Sequence, residues 1–468
     1  MISGERTVQM PKTRFVVGLT LASWLILCGC GDDDTGSPSD ATTPSDGATA
    51  ACEQPPDPLP APMVGGYTAI NTPNSVFDFR VWQLVGNPLT SGDDTLDFRV
   101  VLPTGADCAD VWLDGEYAGR HTPEGAQSTL HVDITALPVG EHELLLAAPE
   151  AAQAFAQRTF QRSHPYYVLV TNDWDDALHD QQALDRQQQL HDNHPEMKMT
   201  HFVGPYTFTD PTVTPQERDD TVAWVTQMRD TYDDEIGLHV HPYCNFVETT
   251  TVPCRWTPSF AYPEDPEGYT VVLGSYDQAE SQILFQEAKT LFAAHGLGTP
   301  TSFRAGGWAA EIHTLAALAA AGFTVDTSAA NWSRMEEWEG TPGATLYEWN
   351  QSHWATIDEH SQPYYPSTDD ILSDTPPVLP ILELPDNGLL VDYVTDDEII
   401  EMFEAVWPGG TLTEPRTYVT GYHPGSYWAF AGYLEQGLDH IDRFLYVNDA
   451  GPVIYETVSN MALVWPAP

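Results

Sequence analysis

The chain has 468 residues, more than one ordinary domain holds, and 42% of them are hydrophobic, enough for a sizeable core. Its 68 Asp and Glu stand against 18 Lys and Arg, a formal net charge of −50. That balance excludes nucleic-acid binding by charge, because phosphates need a basic face, and it describes a strongly solvated surface.

Residues 1–29 read as an export signal. Arg6, Lys12 and Arg14 make a basic start. Phe15 to Leu27 is apolar but too short for a bilayer-crossing helix, which takes ~20 residues. "LCGC" at 27–30 resembles a bacterial lipobox, which makes Cys30 the acylated first residue of the mature chain. A plain secretory signal with an unrelated cysteine is the alternative. The expectation is an exported lipoprotein, held at a membrane of the cell envelope through Cys30. Residues 30–58 are rich in Asp, Ser, Thr and Pro, cannot form a core, and read as a disordered tether. With Cys28 removed and Cys30 lipidated, an even number of cysteines remains. Pairing neighbours gives Cys52–Cys108 and Cys244–Cys254. A thiolate metal ligand at Cys244, close to His241, stays open beside this.

Residues 59–162 alternate short strands and turns. "VFDFRVWQLV" (76–85), "TLDFRVVLP" (95–103), an Asp-Gly hairpin in "ADVWLDGEYAGRH" (109–121) and two runs in 128–150 predict a small antiparallel, immunoglobulin-like sandwich. Nothing catalytic stands out there. A structural spacer is the preferred role, and carbohydrate binding the other.

From 163 to 468 the character changes. "YYVLVT" (166–171) is a continuous apolar run, as in a strand covered on both faces. Further strands are expected at 197–203, 235–240, 301–306, 322–328, 380–385, 416–424 and 452–457. Helices are expected between several of them, notably 214–232, with a Thr214–Glu217 capping box, and 275–296, stopped at Gly296. Alternating strand and helix predicts a distorted (β/α) barrel.

Polar residues gather where these strands end: Asp173, Asp175 and Asp176 after the first, then His239 and His241, Arg304, Asp326 and His423. In such a barrel the C-terminal strand ends converge on one face. Two imidazoles and a carboxylate suit a divalent ion, Zn²⁺ first, with a position left open for water. A carboxylate base and an acid on the opposite side would complete a site for amide or ester hydrolysis.

"TNDWDD", "LHVHP", "FRAGGW", "VDTS" and "GYHP", in that order, resemble the motifs of the polysaccharide deacetylase family, including carbohydrate esterase family 4, over roughly 165–460. The resemblance implies removal of acetyl groups from a glycan by a metal-activated water. It implies Asp173 as base, Asp175 (or Asp176) with His239 and His241 as metal ligands, and Arg304 orienting the base. It also places Asp326 in the fourth motif and makes His423 the acid. Trp308 and Trp332 are candidates for the sugar pocket or for the core. The chain departs from the common pattern in "NDWDD" and in histidines two rather than four apart, a spacing that still puts both on one face of a strand. A non-catalytic glycan-binding protein on a degenerate barrel is the runner-up. An amidohydrolase is disfavoured, because its His-x-His belongs to the first strand.

Overall fold

The computed structural model describes residues 52, 61–63, 78–123, 129–149, 151–338, 346–425 and 427–468. The export signal, Cys30 and most of the tether lie outside them.

The first part carries seven strands: β1 (Trp82–Leu84), β2 (Thr95–Arg99), β3 (Ala109–Leu113), β4 (Glu116–His121), β5 (Thr129–Asp133), β6 (Gly140–Ala147) and β7 (Ala156–Ser163). One sheet runs β1-β7-β6-β3-β4 and a second pairs β2 with β5. Alternation decides which faces meet. Leu96, Phe98, Leu130 and Val132 point inward from the small sheet onto Val111, Leu144, Leu146 and Phe160 of the large one. Trp112 and Leu145 pack on the opposite face of the large sheet, which is why β3 and β6 read as nearly continuous apolar runs. Asp114 and Gly115 take positive φ in the β3–β4 turn, the backbone that an Asp-Gly hairpin favours. The pairing of β1 with β7 is parallel, unlike the all-antiparallel arrangement expected. β7 was not foreseen. Its apolar positions are too few to stand out, but it supplies the edge on which β1 pairs. Cys52 is joined to Cys108, just ahead of β3.

The second part is a parallel sheet in the order β13-β12-β11-β10-β9-β8-β14, with β15 also against β8. The strands are β8 (Tyr166–Asp173), β9 (Met199–Val203), β10 (Glu235–Val240), β11 (Ser302–Ala305), β12 (Val325–Asp326), β13 (Leu382–Glu383), β14 (Arg416–Tyr422) and β15 (Val453–Tyr455). β9 to β15 each fall within a span expected from the sequence, and β8 runs two residues past its expected end. The two edges of this half-barrel are joined by one extended segment. Its start pairs with β12, and its continuation bonds β14 through Gly388 N–H to Val419 O and Val391 N–H to Gly421 O. Tyr167, Leu169, Phe202, Val325, Leu382 and Val419 fill the interior. The outward faces lie under helices in a larger core that includes Val168, Val170, Leu238, Val240 and Phe303. Both expected long helices form. Pro215–Tyr232 starts at the Thr214–Glu217 capping box, and Gln278–Ala294 starts at Asp277 and stops before Gly296, whose φ is +80°. Among the described residues no helix is long and apolar enough to cross a membrane.

The N-terminal end of the half-barrel is closed from below. Leu89 packs on the interior cluster, Asn87 donates to the Tyr167 hydroxyl at 2.5 Å, and Trp465 covers another side. The other end is open, and there the polar strand ends meet.

Candidate functional site

The site is built from strand parity. Along β8 the odd residues Tyr167, Leu169, Thr171 and Asp173 face inward, so Asp173 is carried to the top of the interior. Along β10, Leu238 and Val240 face the helices, which leaves His239 inward, with His241 one step further on the same side. On β11, Arg304 faces inward over the Phe202 ring at 5.1 Å.

His239 Nδ1 lies 3.0 Å from the Arg304 carbonyl, and His241 Nδ1 lies 2.6 Å from the Tyr269 carbonyl. A carbonyl only accepts, so each Nδ1 carries the proton and each Nε2 of a neutral ring is a bare acceptor. Both Nε2 atoms point at the same oxygen, Asp175 Oδ1, at 3.1 and 3.2 Å. Asp175, His239 and His241 thus bring three ligand atoms within 4.8 Å of one another. Two nitrogen lone pairs and a carboxylate oxygen facing one point are a donor set that a divalent cation satisfies, so the residues present fit a metal. Burial opposes the Asp175 charge, but neighbouring positive charge, His423 foremost, outweighs it and holds the carboxyl well below its usual range. Asp176 is exposed at the rim, so the geometry favours Asp175 as the ligand.

The fit around the histidines is tight. A Cβ on Gly306 would come within 2.5 Å of the His241 ring, so glycine is required there. Tyr269 closes the other side and donates its hydroxyl to Asp175 Oδ2 at 2.6 Å. It arrives on a loop pinned at Asp265, which accepts from the backbone of Glu267, Gly268 and Thr270. Cys244 is bonded to Cys254 at the start of that loop and is not a ligand.

Asp173 is held by Arg304, whose side chain is fully buried. The guanidinium meets Asp173 at 3.0 Å, Thr171 Oγ1 at 2.9 Å, the Thr327 carbonyl and hydroxyl at 3.1 and 3.2 Å, and Asp386 at 3.3 Å. Trp308 donates its indole N–H to Asp386 at 2.9 Å. Opposite, His423 Nδ1 lies 3.0 Å from Asp392 and its Nε2 lies 3.7 Å from Asp175. Burial alone would lower the His423 pKa, but Asp175 and Asp392 raise it to about 10, so the ring is held as the imidazolium.

Asp173, Asp175, Asp176 and His423 line one open cavity of about 630 Å³. Three expected residues are elsewhere. Asp326 shares its sheet face with Phe303 and Glu383, opposite to the face of Arg304, and forms a buried carboxyl pair with Glu383. Trp308 is 3% exposed beneath the site, and Trp332 packs against Tyr347; neither is in the cavity wall. Large indoles with one polar atom fill the core here, while the wall is made by Tyr243, Tyr269, Tyr393 and Phe430. His179 also lines it, its pKa held down to about 4 by burial. Sequence reasoning missed these, along with Asp386 and Asp392. The two carboxylates were open to discovery, being isolated acids in the apolar runs "ILELPDNGLLVDYV".

No family model and no curated protein matches the chain. Solved structures do. A Mycobacterium smegmatis protein assigned as a polysaccharide deacetylase is 15% identical, with 64% of this chain and 89% of that one covered and a TM-score of 0.38. A Parabacteroides distasonis protein assigned as a glycoside hydrolase/deacetylase is 12% identical, with 64% and 70% covered and a TM-score of 0.41. The family 4 carbohydrate esterase of Streptomyces lividans, solved with acetate, is 12% identical, with 64% and 95% covered and a TM-score of 0.30.

Proposed function

We propose that the protein is a metal-dependent hydrolase that removes acetyl groups from an acetylated glycan. The observation that carries this is the convergence of Asp175, His239 and His241, flanked by a braced carboxylate and a braced imidazolium. Those three residues would hold the ion, with zinc favoured by two imidazoles and one carboxylate. Bound there, a divalent ion would lower the pKa of water and polarise the acetyl carbonyl. Asp173, fixed by Arg304, accepts the proton of the attacking water. His423, fixed by Asp392, gives its proton to the nitrogen or oxygen that leaves as the acyl bond breaks, and acetate departs. The half-buried rings of Tyr243, Tyr269, Tyr393 and Phe430 orient the sugar.

The test combines metal analysis with acetate release from acetylated glycans. The wild type should hold one divalent ion per chain, and the His239→Ala, His241→Ala double variant should lose it. Asp173→Asn should keep the ion and release no acetate. Metal retained in the double variant removes the site, and a metal-loaded wild type inert on every glycan leaves a sugar-binding protein instead.

The chain's placement rests on the export signal and lipobox-like "LCGC", with the two disulfides as support for an oxidising compartment. On this reading Cys30 anchors the protein in the envelope, residues 30–58 are the tether, 59–162 an immunoglobulin-like spacer and 163–468 the enzyme. Cys30→Ala should move the protein from the membrane to the soluble fraction; an unchanged membrane fraction argues against the anchor.

A further inference from the structure

Tyr269 touches two of the three residues that would hold the ion. Its carbonyl takes the His241 Nδ1 proton at 2.6 Å, and its ring lies 4.3 Å from the His241 ring. Its hydroxyl donates to Asp175 Oδ2 at 2.6 Å, a short bond to an acceptor-only carboxylate. The two oxygens of Asp175 are thereby divided. Oδ1 faces the Nε2 atoms of His239 and His241, at 3.1 and 3.2 Å, while Oδ2 is taken by Tyr269. His423 Nε2 stands 3.7 Å from Oδ2, so the imidazolium charge also favours that oxygen staying where it is.

The platform under the hydroxyl is fastened to the strand end that carries both histidines. Gly268 takes φ +85°, and a Cβ there would come 2.4 Å from the Pro242 carbonyl. Cys244 N–H donates to the Glu267 carbonyl at 2.8 Å. The Tyr243 ring stacks on Tyr269, 5.3 Å away at 23°, and its hydroxyl donates to the Asp175 backbone carbonyl at 3.3 Å. One stretch of backbone therefore places the hydroxyl and both imidazoles.

Resting on the reading of Asp175, His239 and His241 as ion ligands, we propose that Tyr269 is a positioning residue that reserves Asp175 Oδ2 and leaves the ion a single carboxylate oxygen. An aspartate free at both oxygens can clasp a cation with both. With one reserved, this chain fills three positions around the ion rather than four. More of the ion's sphere is then left to water and to the glycan.

The experiment compares wild type with Tyr269→Phe, which keeps the ring and removes only the hydroxyl. In a crystal structure of the zinc-loaded wild type, Asp175 Oδ1 should lie at a bonding distance of about 2.0–2.2 Å, with Oδ2 still on Tyr269. Both oxygens bonded to zinc overturn the inference. Cobalt(II) in place of zinc reports coordination number, because its visible absorption weakens as ligands are added. Tyr269→Phe should dim that band, whereas Tyr243→Phe, whose hydroxyl meets only the Asp175 backbone, should leave it unchanged. A band unmoved by Tyr269→Phe, or moved equally by both variants, rejects the role. Where wild type releases acetate, Tyr269→Phe should do so on the order of tenfold more slowly, a usual cost of losing a ligand's outer partner. Equal rates reject the role too. If Tyr269→Phe does not fold, the zinc-loaded wild-type structure decides alone. A wild type that holds no ion removes the metal site and this inference with it. An ion clasped by both oxygens of Asp175 leaves the metal site standing and removes only the part given to Tyr269.

Discussion

The Arg304 guanidinium makes four hydrogen bonds and one further ion pair. A guanidinium offers five donors in a fixed fork, and here they reach two carboxylates, two hydroxyls and a carbonyl. The charge is buried, so its value lies in being matched on both sides by Asp173 and Asp386. Arg304→Met would leave two buried carboxylates facing each other, a loss of about 3–5 kcal/mol by analogy with other broken buried pairs. Urea unfolding should show it. Metal content should survive, because His239 is held by the Arg304 backbone carbonyl, which the substitution keeps. Arginine at a strand end was legible in the sequence, as were Asp173, Asp175, both histidines and His423. Asp386, the arginine's second partner, was missed: it lies beyond the end of β13, and only its isolation in an apolar run marks it. Tyr269 was hidden for a similar reason. It is far from Asp175 in sequence, and its loop has no periodic pattern, yet its hydroxyl reaches that carboxylate.

The strands β12 and β13 show how much one residue of parity matters. Both were found from short apolar runs, and both are shorter than those runs. Asp326 sits in "FTVDTS", a strand end like the others, but period two turns it outward toward Glu383. Burial pushes Glu383 well above the usual carboxyl range, with the Asp326 charge adding to this. Burial also pushes Asp326 up to about 6, against the hydrogen bond from Glu383. The pair therefore shares a proton, and charging both members is costly. An acid whose folded pKa is raised keeps its proton in the native state after the unfolded chain has released it, so stability falls as pH rises from about 4 through 6. Asp326→Asn removes that loss. The variant should gain stability relative to wild type on going from pH 4 to pH 7, measured as the difference between two urea-unfolding series. A flat difference would show that the pair does not share a proton. Metal binding should be unaffected, since Asp326 is not among the three residues proposed to hold the ion.

At the scale of the molecule, the two parts are interlocked rather than strung in series. Asp449, in the loop before β15, accepts the backbone N–H groups of Val81 and Trp82 at 2.8 and 2.9 Å. Tyr446 donates to Asp93 at 2.6 Å, and Arg80 lies over its ring. Hydrogen bonds to a charged acceptor contribute roughly 1.5–3 kcal/mol each. Asp449→Ala should therefore lower stability by about 2 kcal/mol and, by calorimetry, shift one cooperative transition rather than a minor early one. The change of character near residue 163 was plain in the sequence, from alternating to continuous apolar strands. The contacts across it were not, because they are made by loop residues with no pattern of their own.

The disulfide between Cys52 and Cys108 has a mechanical consequence. A pull on the N-terminal end of the chain passes through the sulfur bridge directly to β3. Residues 53–107 lie on a slack branch, outside the path of the force. That branch carries β1, β2, the backbone groups held by Asp449, and Leu89 in the base of the half-barrel. Tension is thus delivered to β3, beside the edge strand β4 of the five-stranded sheet, while the segment that plugs the barrel bears none of it.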